Sequence, residues 1–168
     1  EAAGATVETI ESPVDASALM QAYQVLLGAI IGTDMPPKSR MAMERMRGLA
    51  KLAMAMGAGT GSWASLTRAY TASHAEWLEA DETRARMQAT LEGVFSRYDL
   101  ILAPVAPLAA FPHDHRPFSK RRLTLSDGRQ YPYTAMLNWI ALATALHLPV
   151  TTVPAGFTPA GLPVGVQI

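Results

Sequence analysis

Two patterns in the 168-residue sequence predict a layered α/β chain. Apolar residues recur at helical spacing through long segments, and short apolar or β-branched runs closed by Pro or Gly lie between them. A third observation agrees: a hydrophobic share of 49% against a charged share of 17% supplies material for one packed core. The expected architecture is therefore α/β, with sheet strands flanked by helices. No internal repeat, low-complexity linker or composition shift marks a second domain.

The elements follow in order. Residues 6–10 alternate polar and apolar side chains and read as a short strand, closed by Pro13. Asp15 or Ser17 can cap the next helix, along which Leu19, Tyr23, Leu26, Leu27 and Ile30 recur. Segment 34–37 ends it, because Pro37 restricts the residue before it and Pro36 has no N–H. Ser39 then caps a second helix, 40–56. It carries Met41, Met43, Met46, Met54 and Met56, five of the nine methionines. Such a helix either offers an adaptable surface or fills an irregular core, and the expectation is core.

Gly57-Ala58-Gly59-Thr60-Gly61 has the composition of a phosphate cradle. No Lys follows in the required spacing and no strand precedes it, so it reads as a helix C-cap and hinge. Ser62 opens one long helical stretch to about residue 98, with a charged, solvated segment and a bend at 81–86. Residues 99–103 read as a buried strand. Pro104, Pro107, Pro112 and Pro117 hold an extended loop to residue 131, which includes Arg121 and Arg122. Within it, 123–125 and 129–131 can pair across an Asp127-Gly128 turn. Segment 133–148 reads as a well-buried helix, 150–153 as a strand, 156–161 as a turn and 162–168 as a second strand.

Composition also excludes function classes. Fourteen Lys and Arg balance fourteen Asp and Glu, so no electrostatic nucleic-acid footprint is expected. The absence of cysteine excludes disulfides, zinc–thiolate sites and thiol nucleophiles. It fits a reducing compartment, and a cytoplasmic location is expected. The longest helix-compatible apolar segment, 133–148, contains Asn138, Thr144 and His147 and stops at Pro149, so no membrane span is expected. The chain opens Glu1-Ala2-Ala3-Gly4, with neither Met nor the basic stretch of a signal peptide, and reads as an internal start within a longer protein.

Several segments together resemble one family. Tyr98-Asp99-Leu100-Ile101-Leu102-Ala103-Pro104-Val105-Ala106-Pro107 is similar to the "aspartate, apolar strand, Pro-x-x-Pro" segment of amidase-signature enzymes. Leu148-Pro149-Val150-Thr151-Thr152-Val153-Pro154-Ala155-Gly156 resembles their Leu-Pro, short strand, Pro-x-Gly segment. Gly161-Leu162-Pro163-Val164-Gly165-Val166-Gln167-Ile168 matches their Gly-Leu-Pro-x-Gly-x-Gln-Ile signature and is the most specific of the three. The segments 109–115 and 74–78 look like a bacterial branch. Where many members carry Asn and Gly before the Leu-Pro, this chain has Thr144 and His147.

The resemblance implies a mixed sheet wrapped by helices, of which residues 1–168 would form the C-terminal part of a single amidase domain truncated at both ends. It also implies hydrolysis of a carboxylic amide by a Ser–Ser–Lys triad. In that chemistry a base activates the serine and backbone N–H groups hold the oxyanion. No two serines are adjacent here, and the lysines are Lys38, Lys51 and Lys120 alone. No catalytic residue, metal ligand or cofactor site is therefore assigned. The implied partners are a small-molecule amide, the missing N-terminal half of the same fold, and a second copy in a homo-oligomer, because the apolar strand 162–168 offers an edge for pairing. Phe111 and Trp139 are the substrate-binding candidates, as aromatic walls suited to an acyl or aryl group. Against that stands a plain core role for both.

Other constellations read as structural. His113-Asp114-His115 has donors that suit zinc or nickel but no third ligand, and a polar loop anchored by Arg116 is expected. His74, near Trp77 and Arg84, is expected to be buried against a carboxylate. His147 sits at a helix end, where a cation is favoured. Two alternatives to a simple amidase remain: the glutaminase subunit of a tRNA-dependent amidotransferase, and a non-catalytic interaction module.

Overall fold

The computed structural model describes residues 4–168, so Glu1-Ala2-Ala3 lies outside the described residues. Helix α1 (Ala16–Thr33) is the central element, packed against three other helices. Asp15 caps it, its Oδ1 accepting from the N–H of Ser17 at 2.8 Å and of Ala18 at 3.1 Å. Leu19 and Tyr23 are buried as the periodicity predicts, together with Met20 in the same cluster, and Ala22 and Val25 are buried in a second one. Ile30, expected inside, is 63% exposed because the neighbouring helices leave its side of the last turn uncovered. Among the described residues α1, rather than segment 133–148, is the one helix long and apolar enough to cross a bilayer by length and composition. Its buried residues lie within the helical core, as in a core helix.

Helix α2 (Pro37–Ala55) begins earlier than expected. Pro37 stands at its first position, where a fixed φ favours the helix, and Ser39 lies inside the first turn rather than capping it. Its end matches expectation. Gly57 takes φ +94°, with the N–H of Ala58 donating to Ala53 O at 2.9 Å and that of Gly57 to Met54 O at 3.0 Å. The methionines depart from the core reading: Met41, Met46 and Met56 are exposed.

The stretch after Ser62 divides into α3 (Trp63–Tyr70) and α4 (His74–Phe95). The break falls at 71–73, not at 81–86. Ser73 and Glu76 form a reciprocal capping box that starts a new helix. The charged segment stays helical, with Arg84 bound to Asp81 and Arg86 to Glu82 along one helix. Helix α3 approaches α1 closely. A Cβ at Gly28 would lie 2.5 Å from Ala69 Cβ, and one at Gly32 would meet the carbonyl oxygen of Tyr70.

Strands β1 (Ala103–Pro104), β4 (Thr152–Phe157) and β5 (Pro163–Gln167) form an antiparallel sheet in the order β1-β5-β4, with a bulge between Pro154 and Gly156. Strands β2 (Arg122–Thr124) and β3 (Gln130–Pro132) form the expected hairpin across Asp127-Gly128. Two expected strands fail for want of a neighbour. Residues 6–10 have no regular structure, held instead by Tyr98 Oη donating to Glu8 Oε2 at 2.6 Å. Only the last residue of 99–103 is in a ladder, and Leu100 and Leu102 are half exposed. Segment 133–148 is a 3-10 turn (Tyr133–Leu137) leading into α5 (Asn138–Ala145), and only one side of α5 is buried. The main core joins α1, α4 and α5 through Leu19, Met20, Tyr23, Leu91, Val94, Ala141, Ala145 and Leu146. Helices on small antiparallel sheets make the chain α/β, as its sequence predicts.

At the end of α5, Leu148 N–H returns to Ala143 O at 2.9 Å, which puts His147 at φ +56° in the left-handed region. Thr144, at the other departing position, lies beside Tyr23, whose hydroxyl pKa is raised by burial and only partly lowered by the Thr144 side chain. Because a side chain at φ > 0 is strained, His147→Gly is expected to stabilise the fold by about 1 kcal/mol. Urea unfolding tests this, and a destabilised variant would contradict it.

Glu76 ties α2 to α4. Its Oε2 accepts from Ser73 N–H at 2.8 Å and Ser73 Oγ at 2.9 Å and pairs with Arg47, while Lys51 Nζ lies 3.4 Å from Oε1. Burial raises the carboxyl pKa, but the Ser73 hydrogen bonds and the Arg47 hydrogen bond and charge outweigh it and bring it from 4.5 to about 2. A group depressed in this way stabilises fully above its unfolded value of 4.5 and loses that contribution as pH falls through about 2. The loss is expected to approach about 3 kcal/mol. Glu76→Gln should flatten thermal melts over this range, and wild-type and variant curves that stay parallel would refute the assignment.

Candidate functional site

A cleft of about 610 Å³ opens where the end of α4, the helix α5 and the sheet meet. Phe95, Leu100 and Ile101 line one side, Trp139 and Leu142 the next, and Leu148, Val150 and Ile168 the sheet side. The lining is mainly apolar, with Trp139, Leu142 and Ala143 coming from α5 and Gln167 the one residue from β5.

One polar side chain organises the cleft. Gln167 is 8% exposed and donates through Nε2 to Pro104 O at 2.9 Å and to Trp139 O at 3.1 Å. It thereby joins β5 to β1 and to α5. Backbone pairing between Thr151 and Ile168, at 3.0 and 2.9 Å, closes the sheet side. The remaining polar lining residues are Asp99 and Thr151. No Ser, Lys, His or Cys lines the cleft, so it has no nucleophile–base pair. It can bind or seat an apolar group, but it holds no machinery for acyl transfer.

The two substrate-binding candidates lie apart. Trp139 is 41% exposed and lines the cleft. Phe111 is not among the lining residues and packs edge-on against Tyr133 at 6.3 Å, with Phe118 on the same ring at 5.5 Å and the Arg121 guanidinium 5.6 Å from it. Gln167, missed as a functional position, had one signal: a lone amide within an otherwise apolar strand. Phe95 and Leu148 had none beyond apolarity.

The histidines also resolve. His74 is exposed and stacks on Trp77 at 6.4 Å, against the expected burial on a carboxylate, because the turn at 71–73 puts it at a helix start. Asp114 is held by Arg116, its oxygens accepting at 2.7 to 3.1 Å. Those hydrogen bonds, first from the guanidinium and then from the backbone N–H, keep its pKa at about 2. Arg116 thus anchors the loop. Among the described residues no three His, Asp or Glu side chains converge for a metal. The lysines also stay out of the cleft: Lys51 pairs with Glu76, and Lys38 and Lys120 are exposed.

Comparison with known proteins places this geometry. The sequence profile of the family described as Amidase matches residues 1–168. A glutamyl-tRNA(Gln) amidotransferase subunit of Neisseria meningitidis serogroup C (strain 053442) is 41% identical over 103 residues, covering 59% of this chain and 19% of that protein. The protein of the same name from Chromobacterium violaceum is 35% identical over 107 residues, 61% of this chain and 20% of that protein. A solved structure described as "Crystal structure of amidase" superimposes with a TM-score of 0.54 at 20% identity, over 90% of this chain and 31% of that one, which establishes likeness of fold. The chain thus spans about a fifth of the length of the curated relatives it matches.

Replacing Gln167 with Leu keeps the volume but removes its hydrogen bonds to the Pro104 and Trp139 carbonyls. The variant is expected to lose roughly 2 kcal/mol of stability and to speed amide hydrogen exchange along β5. Unchanged stability with unchanged exchange would remove Gln167 from its joining role.

Proposed function

The chain belongs to the amidase family, and from that membership we propose that it is the C-terminal part of an amidase domain in a longer cytoplasmic protein that hydrolyses a carboxylic amide to acid and amine. The observation that carries this reading is the family match over every residue of the chain, including the segment Gly161-Leu162-Pro163-Val164-Gly165-Val166-Gln167-Ile168 that forms β5. The Ser–Ser–Lys chemistry of the family cannot come from these 168 residues, which have no adjacent serines and no buried lysine in the cleft. The part played here is scaffold and wall. Trp139 would contribute an aromatic face to the acyl side of the pocket, and Phe111 would do so once the remaining fold closes over the 111–133 cluster. The apolar cleft would be seated against the rest of the domain.

A second reading draws on the names of the relatives: glutaminase subunit of a tRNA-dependent amidotransferase, releasing ammonia from glutamine for a partner. The two readings differ in substrate and in dependence on other subunits.

Assays settle the matter in two steps. Residues 1–168 alone are expected neither to hydrolyse aliphatic or aryl amides nor to react with a fluorophosphonate, whereas the protein encoded by the reading frame through Glu1 should do both. Turnover by residues 1–168 alone would overturn the scaffold role. In the longer protein, Trp139→Ala or Phe111→Ala should shift the preference between small and aryl amides, and unchanged preference would sink the pocket assignment. Hydrolysis of glutamine alone, and only with added subunits, would favour the second reading.

A further inference from the structure

Gln24, Gly28 and Gly32 are spaced by four along α1, so they share the face turned toward α3. At the two glycines the helices meet directly, a Cβ at Gly28 falling on Ala69 and one at Gly32 on the Tyr70 carbonyl. Gln24 stands one turn earlier. There the surfaces part around a hollow of about 10 Å³, lined by Gln21 and Gln24 of α1, Met54 of α2, Thr60 of the glycine-rich turn, and Ser65 and Arg68 of α3. Gln24 is 8% exposed, and among the described residues no group bonds its buried Nε2. A buried amide donor without an acceptor is costly, and such groups in folded proteins are almost always bonded.

Size, charge and hydrogen-bonding capacity identify the acceptor. Room of about 10 Å³ is that of one water and admits neither a side chain nor a polyatomic ion. Arg68 lines the hollow and no carboxylate does, which disfavours a metal cation. Ser65 decides between water and a halide. Its hydroxyl is already donated to Ser62 O at 3.0 Å, so Oγ has only lone pairs left to offer. Lone pairs repel a halide but accept from water. Water also accepts from Nε2, and it would serve the amide equally in the flipped orientation. The acceptor has to lie inside the hollow. A further segment of the longer protein laid over exposed Gln21 and Thr60 would cover the hollow without reaching Nε2, which is already closed off from the surface.

We propose that the seam between α1 and α3 carries one integral water, accepting from Gln24 Nε2 and donating to Ser65 Oγ, which joins the two helices where no glycine lets them touch. With Thr60 also lining the hollow, this water is held between α1, the glycine-rich turn and α3. The glycine-rich run, too short of cations for phosphate, thus closes one side of a water site. No residue of the apolar cleft lines this hollow, so the water is independent of the amidase reading.

Crystals of the protein encoded by the reading frame through Glu1, at a resolution that shows ordered water, test this. One water peak is expected within about 2.7–3.2 Å of both the Gln24 side-chain amide and Ser65 Oγ. In Gln24→Leu, which keeps the volume and removes the donor, the peak should vanish. In solution, oxygen-17 relaxation dispersion should then count about one long-lived water fewer than in the wild type. Ser65→Ala leaves Gln24 in place and should lower the occupancy of the peak, which keeps the test open should the leucine variant not fold. Four outcomes would overturn the proposal: no peak beside Gln24, a side chain of the longer protein bonded to Nε2, an anomalous peak in the hollow after a bromide soak, or a water that persists unchanged in Gln24→Leu.

Discussion

The fold depends on how closely α3 can press against α1. Gly28 and Gly32, one turn apart, remove the side chains that would otherwise strike Ala69 and the Tyr70 carbonyl. That contact decides where α3 stops, and so where the chain turns at 71–73 and α4 starts. From there α4 runs back along α1, placing Leu91 and Val94 against Leu19, Met20 and Tyr23 and against Ala141 and Leu146 of α5. The position of α5 then sets the Trp139 carbonyl that Gln167 bonds. A close backbone approach between two helices is thus transmitted to the rim of the cleft through packed elements whose separations cannot vary independently.

Two polar clusters complement this apolar frame, and they differ in kind. Glu76 is largely buried and accepts from Ser73 and from two cations of α2, so its charge is stabilised locally and also holds a helix in place. Asp114 and Arg116 lie two residues apart in an exposed loop, where their pairing shapes the loop and ties no distant element to it. The first is a tertiary constraint and the second a local one.

The cleft has the complementary property of lacking reactive groups. Its one well-placed polar side chain is consumed by backbone carbonyls, and its walls are aliphatic and aromatic. Such a surface offers shape and dryness but no reactive group of its own. Phe111 and Trp139 illustrate the distinction: similar residues near similar motifs, yet one stands at the cleft and the other in a separate aromatic cluster.

By itself the sequence determined what short-range atoms satisfy. The Asp15 cap, the left-handed glycine closing α2, the Asp127-Gly128 hairpin and the strand formed by the C-terminal signature each depend on donors, acceptors or φ angles within a few residues. It also determined the family, because the motif spacing survives wherever the chain folds. Tertiary structure alone decided which side of a helix meets solvent and which extended segment finds a strand to pair with. Ile30 and Met41 stand exposed, residues 6–10 form no strand, and the helix after Ser62 breaks at 71–73, ahead of the charged stretch that suggested a bend. The assignment of Gln167 belongs here too, since its partners, Pro104 and Trp139, are 63 and 28 residues away. Burial and pairing are set by partners remote in the chain, and local periodicity carries no information about where those partners will lie.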